Sequence, residues 1–332
     1  MFYCGHSPIR IVCFLGLFVS HPLFAHEPTV PTSIENYPLV QINKRIYIVH
    51  GPQDLPSPQT RAFMNNPAAI MTSTGVIIVD PGSSLEIGRQ LLAKIRQVTD
   101  KPVIAVFNTH VHGDHWLGNQ AIREAYSTVP IYAHENMIKR AEAGAGEEWI
   151  SSFNSMTNDA VAGTKAIAPN IGLKGGETID FGDVKIRIHH TGKAHTNHDI
   201  MIEVVDEKSV FLGDIATNHR VPSSDVPQDA NYKGQMEAIR EILKTNAELY
   251  IPGHGKSGGK EIPEASLQFL EKLYASVQKY YDQGQSDYEM KQKVIDDLSE
   301  YKDWYNFNEM GKVISYLYLE IESNSFEDQA SR

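Results

Sequence analysis

A chain of 332 residues with 41% hydrophobic side chains is long enough to bury one large α/β or α+β core. Its formal net charge is −11 and it has no basic run, which argues against nucleic acid and anionic membrane surfaces as partners. The same balance weighs mildly against a highly anionic substrate, although bound metal ions can override net charge locally.

Taken in chain order, Arg10 precedes the apolar run Ile11–Val19, and Leu23-Phe24-Ala25 offers a small residue for cleavage. Residues 1–25 therefore read as a secretory signal peptide, and the product as periplasmic or secreted, with no other membrane association. The apolar run is too short to span a bilayer stably. Cys4 and Cys13 are the only cysteines and both lie inside this segment. Cleavage after Ala25 would leave about 300 residues with neither disulfides nor a thiolate metal ligand. Residues 26–36 form a Pro-rich, polar lead-in.

Four short β-prone runs follow, Tyr37–Ile42, Ile46–His50, Ala68–Thr72 and Val76–Asp80, separated by turn residues as in hairpins. The segment Gly51–Pro67 is long and Pro-containing, a loop that a compact domain rarely keeps without use. Leu85, Leu91, Leu92 and Ile95 repeat on one face of a helix over Ser84–Val98. Val103–Phe107 is a fully apolar strand, Leu117–Tyr126 reads as helix, Pro130–Ala133 as strand and His134–Ala143 as helix. Gly144–Asn170 shows no clean period. A second β-rich region covers Glu177–Phe181, Val184–His189, Ile200–Val205 and Ser209–Leu212. Tyr232–Leu243 is helical and Leu249–Ile251 a short strand. From about Pro263 the apolar residues Leu267, Leu270, Tyr274, Val277 and Tyr281 recur at three to four. Two β-rich halves, each followed by helix, predict two packed sheets with helices outside.

The most informative segment is Thr109–His115, which places His110, His112, Asp114 and His115 directly after the apolar strand. Imidazole nitrogens and carboxylate oxygens are zinc ligands, and H-x-H-x-D-H can supply half the ligands of a two-metal site. Three further candidates lie at strand ends or in a loop between strands: His195 in Gly192–Thr196, Asp214 after Val210–Gly213, and His254 after Ile251-Pro252-Gly253. Any one alone is weak, but the recurring strand-to-loop delivery makes them one constellation. His189, His190 and His198 flank His195 and compete for its role. His219 and Arg220 follow Asp214 in a loop that should border the mouth, where they are candidates for substrate contact. His50 and Gly51–Pro67 occupy the place of a flap, with Phe63 and Met64 as a possible apolar lid. Trp116 reads as packing.

These residues resemble the five sequence blocks of the metallo-β-lactamase-fold superfamily: Asp80 in Val79-Asp80-Pro81-Gly82, the His110–His115 run, His195, Asp214 and His254. The resemblance covers about Tyr37 to Gly255. It implies an α+β, four-layer αββα sandwich over residues 37–258, with a helical extension over 263–326 packed on the same unit. It also implies that His110, His112 and His195 bind one metal, that Asp114, His115 and His254 bind a second, and that Asp214 bridges them. Asp80 would orient the ligand loop without being a ligand. The implied cofactors are two Zn²⁺, with Fe or Mn as other ions such donors accept. A hydroxide bridging the pair would be the nucleophile, and Asp114 the catalytic residue that orients it or moves its proton.

His115 and Asp214 stand where the best-known β-lactamases of the superfamily carry Arg and Cys. That makes the chain more similar to the glyoxalase II, lactonase and phosphodiesterase branches. The expected function is an exported dinuclear hydrolase of a small molecule, cleaving an ester, lactone, amide or β-lactam-type bond. The alternative is an iron-dependent redox or sulfur-chemistry enzyme of the same fold. It is disfavoured because His112 stands where diiron members carry an acid. The C-terminal helices are expected to cover a sheet or to pair subunits, with shaping of the substrate cleft as the alternative.

Overall fold

The computed structural model describes residues 1–2, 34–222 and 230–330, so the expected signal peptide lies, beyond Phe2, outside the described residues. The first sheet has seven strands in sequential order: β1 (Val40–Gln41), β2 (Ile46–Ile48), β3 (Ala68–Met71), β4 (Val76–Val79), β5 (Val103–Phe107), β6 (Ile131–His134) and β7 (Ile171–Leu173). The second has five, in the order β12 (Leu249–Pro252), β11 (Ser209–Gly213), β10 (Met201–Val204), β9 (Lys185–His189) and β8 (Thr178–Asp180). Pairing is antiparallel from β1 to β4 and from β8 to β11. It is parallel from β4 through β7 and between β11 and β12.

Side-chain alternation explains the layers. On β9, Ile186 and Ile188 face the other sheet, while Lys185 and Arg187 are exposed. On β4 both faces are apolar: Ile77 and Val79 enter the inter-sheet core, whereas Val76 and Ile78 meet the helices outside. That is the pattern of a strand buried on two sides. Helices α1 (Leu85–Arg96), α2 (Gly113–Trp116) and α3 (Asn119–Ala125) follow on the first half. The outer face of the first sheet is covered by α1 and α3. Ser84 caps α1 through its side chain, which accepts from the Ile87 amide. The second sheet is covered by α6 (Tyr232–Ile242) and by the C-terminal helices α7 (Glu261–Tyr281), α8 (Asp287–Asp297) and α9 (Met310–Ala330), which share one hydrophobic cluster with it. The architecture is αββα with C-terminal helices added. Residues 31–332 cluster as one unit, so the extension is not a separate body. No described helix is long and apolar enough to cross a membrane.

Several boundaries differ from the expectation. Tyr37–Ile42 yields only the two-residue β1, because Tyr37 and Leu39 pack sideways on the first sheet's outer cluster. The unreadable stretch 144–170 holds a helix, α5 (Gly146–Thr157), which joins α4 (Glu135–Arg140) across a kink at Gly144, where φ is 104°. The strand β7, Ile171-Gly172-Leu173, is short and largely exposed and so carries no strand pattern in the sequence.

Candidate metal centre

Parallel pairing decides where the ligands meet. In each of the pairs β4–β5 and β11–β12 the carboxyl ends of both strands lie at the same edge. Asp80 follows β4, His110 follows β5, Asp214 follows β11 and His254 follows β12. The loop between β9 and β10 brings His195 to the same edge. Two bonds tie the sheets together there: the Ile200 amide donates to the Thr109 carbonyl at 2.9 Å, and the Asn66 amide to the Gly253 carbonyl at 2.9 Å. The His motif is not all loop, since Asp114 and His115 sit on the helical turn α2, which aims both side chains back at His254.

The structure gathers all seven expected donors into two groups, His110, His112, His195 and Asp214 in one and Asp114, His115 and His254 in the other. Within each group the ligand atoms lie within 4.8 Å of one another. His112 Nδ1 is 3.0 Å from His195 Nε2. Asp114 Oδ2 is 3.2 Å from His254 Nε2 and 3.3 Å from His115 Nε2. The Asp214 carboxylate reaches both groups, with Oδ2 at 3.8 Å from His195 Nε2 and 3.3 Å from His254 Nε2.

Hydrogen bonds behind the site fix the rings. Asp80 Oδ2 lies 2.8 Å from His115 Nδ1, and both its oxygens accept from Thr109, from the amide at 2.9 Å and the hydroxyl at 2.7 Å. Because that hydroxyl gives its proton to Asp80, it accepts from His110 Nδ1–H at 3.0 Å. His254 Nδ1 donates to the Met64 carbonyl at 3.0 Å. Each of these imidazoles is tied off at Nδ1 and turns Nε2 into the site. His110 Nε2, His115 Nε2, Asp114 Oδ2 and Asp214 Oδ1 are buried and make no hydrogen bond. Buried polar atoms in such company without partners fit a metal pair and fit no hydrogen-bonded core.

The electrostatics agree. Burial and the neighbouring imidazoles push His110 well below the usual histidine range and His195 down to about 3. Both are neutral, as a metal ligand must be. Burial alone would raise the Asp114 and Asp214 carboxyls, but His115 and His254 hold both well below the ordinary carboxylate range. Burial would lower His115, yet Asp114, Asp214 and Asp80 raise it well above the usual value. The second group thus wants positive charge at its centre, which a proton or a metal dication can supply.

The competing residues are elsewhere. His189 lies on the outer face of β9 and bonds Glu203 at 2.8 Å. His190 stacks on His134 at 4.0 Å, and His198 Nδ1 pairs with the Thr196 hydroxyl at 2.8 Å. His50 is occupied with Ser257 at 3.0 Å. Trp116 is fully buried and donates to the Val111 carbonyl at 2.7 Å.

The donors His112, Asp114, His195, Asp214 and His254 form the floor of a cavity of roughly 270 Å³. One wall is the 51–67 loop, through Leu55, Pro56 and Met64. Phe63 does not join them. Positive φ at Arg61 and Ala62 turns it inward, where it is fully buried against Tyr37. A second wall is α5, through Trp149, Phe153 and Met156, with the Trp149 ring 5.2 Å from His112. The third is the loop after Asp214, through Thr217, Arg220, Val221 and Pro222. His219, the other expected substrate contact, is exposed, packs on Trp304 at 5.8 Å and does not line the cavity. The α5 wall escaped the sequence reading, although Trp149, Phe153 and Met156 at i, i+4 and i+7 carry its signal. Asn66, whose side chain holds the His254 loop through the Pro252 and Gly255 carbonyls at 2.9 and 2.6 Å, had none.

Two facing sheets, helices on both outer faces and a double cradle of imidazole and carboxylate at the strand ends define a class, the αββα proteins with a candidate two-metal centre. The chain belongs to the metallo-β-lactamase superfamily, whose family model matches residues 61–254. It is 24% identical over 234 residues to a metallo-β-lactamase type 2 of Bacillus sp. (strain 170), covering 69% of this chain and 80% of that one. It is 25% identical over 198 residues to a probable metallo-hydrolase of Streptococcus pyogenes serotype M6, covering 57% and 78%. Its fold matches that of a metallo-β-lactamase from Pontibacter korlensis with a TM-score of 0.56 at 19% identity, over 71% of this chain and 99% of the other.

Proposed function

We propose that this protein is an exported hydrolase that holds two zinc ions and cleaves an ester, lactone, amide or β-lactam-type bond of a small molecule. One observation carries the reading: seven donors converge in two groups, five of them at the floor of an open cavity, with Nδ1 of His110, His115 and His254 tied off and His110 Nε2, His115 Nε2, Asp114 Oδ2 and Asp214 Oδ1 buried without a hydrogen bond. His110, His112 and His195 would hold one ion, Asp114, His115 and His254 the other, and Asp214 both. Bound there, the ions supply a polarised substrate oxygen and water that ionises near neutral pH.

The chain's own groups do the rest. Asp114, whose Oδ2 lies between His115 and His254, lines the cavity floor, and its carboxylate can orient the attacking water or move its proton. Asp80 holds the His115 ring and the Thr109 amide and so fixes the ligand loop. The apolar walls exclude bulk water from the reacting bond. The names of the metallo-β-lactamase and metallo-hydrolase relatives support hydrolysis. Export is supported by the Arg10 to Ala25 pattern.

The test joins elemental mass spectrometry on periplasmically produced protein to a hydrolysis panel of cephalosporin, lactone, thioester and phosphodiester, with and without chelator. About two zinc ions per chain and chelator-sensitive turnover are expected. His195→Ala should lose metal and turnover together, and unchanged turnover in that variant would sink the assignment.

A further inference from the structure

His195 is held differently from the other imidazole donors. His110, His115 and His254 are each bonded at Nδ1, whereas among the described residues nothing bonds Nδ1 of His195. Its place is therefore set by the backbone of the loop between β9 and β10, which contains no helix or strand. The Asp199 carboxylate shapes that loop, accepting from the Thr196 amide at 2.6 Å and the Thr196 hydroxyl at 2.8 Å, one residue after His195.

A pair of histidines that takes no part in the metal centre closes the loop from behind. His190 Nδ1–H donates to the Asp199 carbonyl at 2.7 Å and so joins the two ends of the loop. The His190 ring in turn stacks on His134, the last residue of β6 in the other sheet, with centroids 4.0 Å and planes 27° apart. Gly175, at φ 102°, leaves the room: a Cβ there would lie 2.8 Å from His190 Cβ. His134 Nδ1 accepts from the Asn136 amide at 3.2 Å and caps α4.

A proton on His134 is costly in this position. The ring is 4% exposed, its Nδ1 lone pair is engaged, and a second imidazole lies against its face. The titratable and charged groups around the pair are Glu135, Lys139 and Arg140 of α4, Glu177 ahead of β8, and His198 and Asp199 of the loop. Burial and His190 hold His134 down at about 4, against the pull of Glu135 and Glu177. Freed into water, the ring would take its proton near 6.5. The closed stack is thus most favoured above about 6.5 and loses ground to an opened one as pH falls towards about 4.

We propose that His134 is a positioning residue for His195: its stack on His190 clasps the two sheets behind the ligand loop, and in mild acid the clasp opens and loosens the hold on the first metal position. The loss of metal rests on the two-metal reading; the opening of the loop does not.

The test compares the parent chain with His134→Phe and His134→Asn, each loaded with zinc and held against a fixed chelator at about pH 7.5 and about pH 5.5. Protonation of the ligands themselves is common to all three proteins, so differences between them report the clasp. Phe keeps a flat ring on His190 that takes no proton, but gives up the α4 cap. Asn keeps the cap and gives up the stack. At the higher pH His134→Phe should match the parent, and His134→Asn should hold zinc about tenfold more weakly, as expected for a group that orients a ligand. At the lower pH His134→Phe should hold zinc severalfold more tightly than the parent, with about tenfold as the ceiling for one proton taken up a unit above that pH. A residue that merely caps α4 would reverse the order of the two variants.

Amide hydrogen exchange of the metal-free full chain is the second readout. Corrected for its intrinsic pH dependence, protection of residues 191–199 should fall in the parent between the two pH values and stay in His134→Phe, while that of α6 does not change. Unchanged protection of the loop in the parent overturns the proposal even where a variant does not fold. So does a His134→Phe that loses zinc as the parent does, or a His134→Asn that retains it. Zinc uptake by none of the three proteins would sink the two-metal reading alone.

Discussion

Asp80 shows how much of the centre depends on a residue that touches no candidate metal position directly. Its backbone lies in the left-handed region, with φ at 49°, which Asp and Asn tolerate better than other side chains. Its carboxylate fixes the Thr109 amide and hydroxyl and the His115 ring. Asp80→Asn keeps the backbone preference and the size and removes the charge. We expect it to lower metal affinity by about 10–100-fold with little change in fold, measured by chelator competition. Gly253 is a second such position. A Cβ there would lie 2.2 Å from Asp214 Oδ1 and 2.8 Å from His115 Cε1. Gly253→Ala should therefore push two donors out of register and reduce metal content, and full occupancy by elemental analysis would show that the loop can give way. At this scale the sequence was most legible. The seven donors are read from residue type and from their places at or between strands, and Asp80 from the family resemblance, whereas Asn66 is invisible because one asparagine in a loop looks like any other.

At the scale of elements, position in the fold comes from strand direction and from caps. The α5 wall was hidden because its helix begins after a kinked, Gly-containing stretch with no N-cap signal, so no period could be anchored. Gly113 allows α5 to approach the motif, since a Cβ there would meet Trp149 Cβ at 2.7 Å. The amino end of α6 is closed in two ways. Asn231 accepts from the Gly234 amide at 2.6 Å, and Glu320 of α9 accepts from the Tyr232 and Lys233 amides at 2.7 and 3.1 Å. Burial raises the Glu320 carboxyl above its ordinary value although these donors pull it down, so desolvation is the larger influence. Glu320→Ala should destabilise by about 1–2 kcal/mol, the scale of a lost cap and two hydrogen bonds to a charged group, read as a lower urea midpoint. An unchanged midpoint would mean that Asn231 closes the end alone. No local pattern could reveal this cap, because its two halves are far apart in sequence.

For the molecule as a whole, the extension and the second sheet cannot be taken apart. Leu270, Leu273 and Val277 of α7, Met290 and Val294 of α8 and Val313 and Leu317 of α9 are buried in one cluster with Val210 and Leu212 of β11. Deleting residues 259–332 would expose that sheet face to water. We expect the truncated chain to lose cooperative thermal unfolding and to aggregate, as seen by circular dichroism and light scattering. A folded, metal-binding core would contradict this. What the sequence determined by itself was the chemistry: imidazoles and carboxylates at strand ends, two β-rich halves, and the apolar periods of the long helices. Those signals are local, because ligand type and helical or strand period are written within a few residues. The tertiary structure alone decided that Phe63 turns into the core while Met64 lines the cavity, and that Tyr305 stands behind Arg220. Such contacts join segments tens to hundreds of residues apart, and their geometry is set by sheet pairing and packing that no local pattern encodes.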